Sequence, residues 1–551
     1  MLVQALRIAC LCAVAGLISI DCAPPPGRLD WSADMSGRLR QRIHHRGKTW
    51  KVRVGGAYLA VSPWLEPFYR RRQYRPAWMG WGGALRRADE LLRAVAEVEG
   101  DGLNPQDYRL GELRQRIERL HRGKSAGSAR GDIAETDLLL TNAFLHCAAH
   151  LQRGRVRAED VHREWRAKSP PVNLAGLLQT ALDLDRVAGA LAELRPSQPG
   201  YARLRRVLQR YRRISVGGEW PHIAADAYAP SAWRPETVHK VWRRLSATGD
   251  IGEDVGERDV EELRRGLRRF QNRHGREPTG QLDEATLEAL NVPLQERLDQ
   301  IISNMERWRW LPRDPKVRYI LVRLADFELD ALEAGQIALN MRVIAGKEYW
   351  RTPIFSCTLT HLVFNPHWYV PKSIAVAEIL PQVRRDPGYL ERRGFRLVQG
   401  EGQEAHSVSV HEVDWSALNA ENFPLRLTQA PGPNNPLGRV KFALPNPFGI
   451  YLHDTPDDQL FERRERYLSH GCIRLEKSGE LAEYLLRDEP GWTEQRVSQA
   501  LAQDRPLQVN FSKPVPVYLV YWTAWVDEDG AVQFRSDLYG EDRKLRQVLG
   551  K

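Results

Sequence analysis

The chain has 551 residues, 42% hydrophobic and 27% charged, which excludes a disordered polymer and predicts about three or four units rather than one domain. The formal net charge of +11 comes from 81 basic against 70 acidic residues, an excess spread thinly along the chain. No zinc-finger, basic-zipper or RNA-motif pattern accompanies it, so nucleic acid is not an expected partner.

Residues 1–23 read as a signal peptide or a membrane anchor. Arg7 supplies a weak n-region, Ile8 to Ile20 is apolar, and Ala23-Pro24-Pro25-Pro26-Gly27 breaks any helix. That apolar run suits a signal h-region and falls short of the roughly 20 residues of a membrane span. A cleaved signal is the first reading and an uncleaved anchor the second; either places the protein in the periplasm, in contact with the membrane only if the segment is uncleaved. Of six cysteines, Cys10, Cys12 and Cys22 lie in or beside this segment, leaving Cys147, Cys357 and Cys472. Three scattered cysteines do not make a disulfide scaffold, and at least one thiol stays unpaired within the chain.

Residues 24–61 are polar and punctuated and read as a linker. From Ser62 the pattern turns helical, with segments at Ala84 to Val98, Thr136 to Leu151, Leu174 to Leu194 and Tyr201 to Tyr211; the expected helical domain covers 62–250. Residues 251–295 form a compact helical unit containing LRRFQNRHGREPTGQLDEATLEALN. Beyond Val317 the period becomes that of strands, at Tyr319 to Leu324, Leu339 to Ile344, Thr358 to Phe364 and Pro516 to Val526. Helices are expected at Val376–Arg385 and Gly479–Arg487.

The chemistry concentrates in IYLHDTPDDQLFERRERYLSHGCIRL, residues 450–475. A thiol needs conversion to thiolate to act as a nucleophile, and an imidazole is a common means. His453 and His470 offer one, Cys472 is the nucleophile candidate, and Gly471 permits close backbone approach to a substrate carbonyl. Backbone N–H groups around Gly471 and Cys472 suit an oxyanion, and Arg474 suits a carboxylate. The rival is a zinc site on His453, His470 and Cys472, against which no second cysteine or carboxylate lies at metal-ligand spacing.

The pattern of His453 followed by Ser469-His470-Gly471-Cys472-Ile473-Arg474 resembles the signature of the L,D-transpeptidase (YkuD) catalytic domain. The string at 267–291 resembles the small three-helix peptidoglycan-binding module. NMERWRWLP, RTPIF, FNPHWYVPKSI, PGPNNPLGRVKFALPN and PVPVYLVYWTAWVDEDG follow in the order of the YcbB-like subfamily. The resemblance implies a multidomain α+β protein with a helical scaffold, a peptidoglycan-binding module and a mainly-β catalytic domain over 315–515. It also implies a capping insertion at about 372–428 and a C-terminal β segment, 516–551, packed on the catalytic domain.

By the same resemblance Cys472 is the nucleophile and His453 the general base, with His470, Gly471 and Ser469 supporting the site or its oxyanion. Arg474, Tyr451, Asn365 and Trp368 are the expected substrate-binding residues, with Pro371 as a further wall residue. No metal or cofactor is implied. The implied partners are donor tetrapeptide and acceptor stems of peptidoglycan, with penicillin-binding proteins as candidate co-workers. Implied chemistry is cross-linking of third-position diaminopimelate residues through a cysteine thioester. Carboxypeptidase or D-amino-acid exchange at the same cysteine, and a murein-binding scaffold role, are the alternatives.

Overall fold

The structure, a computed structural model, describes residues 26–550 apart from 47–48, 79–85, 123–128, 168–170, 225–233, 253–258, 314–317 and 401–405. The expected signal or anchor segment lies outside the described residues. Among them, no helix is long and apolar enough to cross a membrane. The described residues group into two units, one within Met1–Glu99, Asn104–Ala149 and Val172–Leu194, the other within Gly100–Leu103, His150–Pro171 and Arg195–Lys551.

The first unit is helical with a small sheet at its start. A helix at Pro26–Arg42 leads into the antiparallel meander β1 (Ile43–Arg46), β2 (Thr49–Val54) and β3 (Ala57–Ala60). The expected linker at 24–61 is therefore structured. Its signal was present in Thr49-Trp50-Lys51-Val52-Arg53-Val54, where Val52 and Val54 alternate inward, and in Gly55-Gly56, both at positive φ in the tight turn. Helices Leu65–Arg71, Arg86–Glu97, Leu110–His121, Ala129–Arg153, Leu174–Asp183 and Val187–Ala192 follow. Asp137 is fully buried in the longest of these. Its carboxylate accepts from the Tyr69 hydroxyl at 2.7 Å, Ala77 N–H at 3.0 Å and Trp78 N–H at 2.9 Å. Those donors offset the desolvation of the carboxylate, and they fix the 65–78 segment to the long helix.

In the second unit, helix Pro199–Val216 packs on Leu294–Trp308, with Tyr201, Leu204 and Leu208 in one core with Leu298, Ile301 and Met305. Helices Pro235–Thr248, Val260–Arg273 and Glu284–Asn291 share a separate small core of Val241, Trp242, Leu245, Leu263, Leu267, Phe270, Leu287 and Leu290. The segment 235–248, which falls inside the expected helical domain at 62–250, is a helix that packs in the compact module, because its apolar stripe is buried there. The Phe-Gln pair also has a physical account. Phe270 is core, and Gln271 holds the turn, donating to Gln281 O at 2.8 Å and Thr286 Oγ1 at 3.0 Å and accepting from Gly280 N–H at 2.8 Å.

The remaining strands are β4 (Tyr319–Arg323), β5 (Glu328–Glu333), β6 (Gln336–Gly346), β7 (Phe355–Phe364), β8 (Trp368–Tyr369), β9 (Phe395–Gln399), β10 (His406–Val408), β11 (Leu425–Gln429), β12 (Val440–Ala443), β13 (Leu452–His453), β14 (Tyr467–Ser469), β15 (Ile473–Leu475), β16 (Leu507–Val520), β17 (Ala524–Val526) and β18 (Val532–Phe534). Nine of them form one sheet in the order β14-β6-β15-β13-β12-β7-β16-β4-β5, and a β5–β6 pairing closes it on itself. The boundary expected at 515/516 falls inside β16, which lies between β7 and β4. Its C-terminal half is a central strand rather than an appended segment; only the β17–β18 hairpin and helix Glu541–Val548 follow it.

The insertion has its own four-stranded sheet, β10-β9-β11-β8, and its own core, which includes Phe395, Trp415 and Phe423. It begins earlier than expected, because Trp368 and Tyr369 already pair with Gln429 and Thr428. The helical stretch from Lys372 to Arg385 contains a π-type turn at Ala375–Ile379.

Candidate active site

Strand register builds the site. Leu452 lies opposite Phe442 on one side and Ile473 on the other, and all three are core. The alternate residues, Lys441, His453 and Arg474, are therefore in register on the opposite face of three adjacent strands. A neutral-capable base is thus flanked by two cations. These side chains line a cavity of about 400 Å³ together with Cys472, Tyr451, Ser469, His470, Trp368 and Pro371.

The loop carrying Cys472 is held by its own polar groups. Ser469 Oγ donates to Cys472 O at 2.5 Å and accepts from Gly471 N–H at 3.1 Å. Thr352 Oγ1 donates to Gly471 O at 2.8 Å and accepts from Gly346 N–H at 2.9 Å. Gly471 has φ +109, and a Cβ there would lie 3.1 Å from Ile450 Cδ1. Its N–H is committed to Ser469, so it does not face a substrate as the sequence suggested. The Cys472 N–H has no acceptor among the described residues.

Around the sulfur, the Sγ–H donates to Gly449 O at 3.8 Å. Burial pushes the Cys472 thiol up. Hydrogen bonds from Tyr451 N–H and the Tyr451 hydroxyl, and the charges of Lys441 and Arg474, oppose that rise. The Tyr451 phenol is itself pushed up, first by burial and then by the nearby sulfur, so it stays protonated and able to donate.

His453 is buried, and burial followed by the charge of Arg474 lowers it to about 3. Its Nδ1 lies 2.5 Å from Asp454 O. A carbonyl only accepts, so Nδ1 carries the proton and Nε2 keeps its lone pair. Asp454 is fixed in turn, its carboxylate accepting from Arg439 N–H at 2.7 Å and Ser478 Oγ–H at 2.8 Å. Gly438, at φ +59, makes this possible, because a Cβ would collide with Asp454 Oδ2 at 2.3 Å. The third member that orients the imidazole is therefore a backbone carbonyl.

His470 sits between the Trp350 ring, 4.0 Å away between centroids, and the carboxylate of Glu378, to which its Nε2 is hydrogen-bonded. Glu378 belongs to the π-type turn of the insertion, so this pair ties the cap to the cysteine loop. Arg474 reaches Asp457 at 3.4 Å. Trp368 and Pro371 line the cavity as expected, but Asn365 does not. It is buried at φ +47, donating to Ala500 O at 2.8 Å and accepting from Arg439 at 3.2 Å, which gives it a role in the loop after β7 rather than in the wall. Sequence reasoning missed Glu378, Trp350 and Lys441. Only Lys441 had a local signal, the polar residue between Val440 and Phe442 in a β-type run.

Closed sheet, cap and cysteine loop all lie within or beside a segment that matches a known family. Residues 317–498 match the family described as "L,D-transpeptidase catalytic domain", residues 63–208 a "Scaffold domain" and residues 234–290 a "Putative peptidoglycan binding domain". The second half of the chain is thus similar to YkuD-type L,D-transpeptidase catalytic domains, and the small helical module is similar to the peptidoglycan-binding family. It is 37% identical over 226 residues to a Haemophilus influenzae protein named "Putative L,D-transpeptidase", an alignment covering 41% of this chain and 45% of that one. The match thus spans under half the length of that relative. Two solved structures are also similar at 12% identity. One, an L,D-transpeptidase from Mycobacterium smegmatis, has a TM-score of 0.18 with 37% of this chain and 58% of that chain covered. The other, titled "Structure of the Ldtfm-avibactam carbamoyl enzyme", has a TM-score of 0.16 with 48% and 81% covered.

Proposed function

We propose that this chain is a periplasmic enzyme that cross-links peptidoglycan stem peptides through a thioester on Cys472. The observation that carries the reading is that Cys472 and a buried, carbonyl-oriented His453 line one cavity beneath the cap. His453 Nε2 takes the thiol proton, and Sγ attacks the carbonyl carbon between the third-position diaminopimelate and the terminal D-Ala of a donor tetrapeptide. The oxyanion accepts from Cys472 N–H. As the C–N bond breaks, the imidazolium returns the proton to the departing D-Ala nitrogen. The side-chain amine of an acceptor diaminopimelate then attacks the thioester, giving its proton to His453, which passes it to the leaving sulfur. The cap supports amine over water as the acceptor.

In this reading Arg474, Tyr451 and Trp368 bind the donor, His470 and Ser469 support the loop, and carbapenems acylate Cys472. Penicillin-binding proteins supply or extend the strands on which it acts. The test is intact-mass analysis of the protein mixed with disaccharide-tetrapeptide. A thioester adduct on Cys472 and a third-to-third cross-linked dimer are expected, with both lost in Cys472→Ala. Tripeptide as sole product would make the enzyme a carboxypeptidase, and turnover by Cys472→Ala would remove the cysteine from the mechanism.

A further inference from the structure

Resting on that reading, we infer that Lys441 is the cation that receives the terminal carboxylate of the donor peptide and so makes the site selective for a free chain end. The backbone dictates where this lysine goes. Val440 and Phe442 are buried in the core of the sheet, so Lys441 emerges on the other face, directly across from His453 and into the cavity that holds Cys472. Its Nζ lies 4.1 Å from the centroid of the Tyr451 ring, and that ring lines the same cavity as Cys472.

Charge balance in the cavity points to a ligand. Arg474 has Asp457 at 3.4 Å and His470 has Glu378. Lys441 has no carboxylate partner among the described residues, although it is only partly exposed. A half-desolvated ammonium without an anion is an unfavourable arrangement unless something supplies one. The ring face of Tyr451 offsets part of that cost but brings no charge.

The substrate class supplies the anion in the right place. In a peptide whose last residue is the leaving group, the terminal carboxylate is three bonds from the carbonyl carbon that sulfur attacks. Lys441, packed on Tyr451 in the cavity that holds Cys472, is therefore placed to meet that carboxylate, which is the last group of the chain. Arg474 stands on the opposite side of His453, two strand spacings of about 4.8 Å from Lys441. An extended or amidated terminus leaves Lys441 without its anion.

The experiment uses the full chain and two disaccharide-tetrapeptides that differ only in a terminal carboxylate or a terminal carboxamide. Initial rates of adduct formation on Cys472 are followed by intact mass at sub-saturating donor. The same thiol attacks both donors, so the ratio of rates cancels any change in thiol reactivity that a substitution causes. The wild-type protein is expected to favour the carboxylate by about tenfold to a hundredfold, as for a charge-assisted contact. Lys441→Met should bring the ratio close to one, mainly through KM, and Lys441→Arg should keep most of it. A wild-type ratio near one overturns the inference while leaving the transpeptidase reading intact. An undiminished ratio in Lys441→Met overturns it equally. If neither donor acylates a Cys472 that iodoacetamide does alkylate, the transpeptidase reading itself fails and this inference with it.

Discussion

Replacing Tyr451 by Phe isolates how the site prepares its sulfur. The hydroxyl of Tyr451 bonds Cys472, and this bond works against the burial that holds the thiol protonated. A hydrogen bond to a charged group contributes about 1.5–3 kcal/mol. Its loss from the thiolate alone reduces the thiolate fraction about tenfold to a hundredfold at a fixed pH below the titration midpoint. The sign is definite: the donor stabilises the anion, so its removal moves the alkylation profile to higher pH. The assay is the iodoacetamide rate at Cys472 across pH, read by peptide mass. Cys147, which is buried, and Cys357, pushed up to about 12 by burial, serve as internal slow thiols. Ring packing against Lys441 and His453 survives in Phe, so a general loss of structure would show as faster labelling of those two. A Tyr451→Phe profile that superimposes on the wild type would refute the assignment of Tyr451 as the donor to sulfur.

Two further outcomes follow from the geometry. Gly471→Ala meets both the positive φ and the Ile450 side chain at 3.1 Å; it should cost about 1–3 kcal/mol and depress acylation of Cys472, and a variant with wild-type melting and acylation would refute the need for this backbone. His274 is stacked between Phe270 and Phe534 with its Nε2 unpartnered, and burial holds it well below the ordinary imidazole value. A group depressed in the folded state gives stability that is present above about pH 6.5 and is lost as pH falls toward its folded value. His274→Phe should therefore flatten the loss of stability between pH 6.5 and 5 by about 2 kcal/mol, measured by denaturation at each pH. An unchanged slope would show that His274 already takes up its proton in the native state.

The sequence by itself determined the local bonding of the cysteine loop, where Ser469 Oγ accepts from Gly471 N–H and donates to Cys472 O. It also determined the last two helices of the small module, which start at Asp259 and Asp283 and whose connecting turn is held by Gln271. Alternation within a strand, a local property, put Lys441 and His453 opposite to the core residues beside them. What the tertiary structure decided is which distant segments share a face. Lys441, His453 and Arg474 form a row only because β12, β13 and β15 are neighbours, and pairing partners are not written in local periodicity. The same holds for Glu378, which reaches His470 from an insertion with its own core, and for Asn365, whose hydrogen bonds to Ala500 and Arg439 draw it into the protein instead of the cavity wall. The strand β16 shows the reason most plainly. It lies outside the segment that carries the signature, yet it completes the closed sheet, because unpaired backbone N–H and C=O groups at an open edge would otherwise be left exposed or unsatisfied.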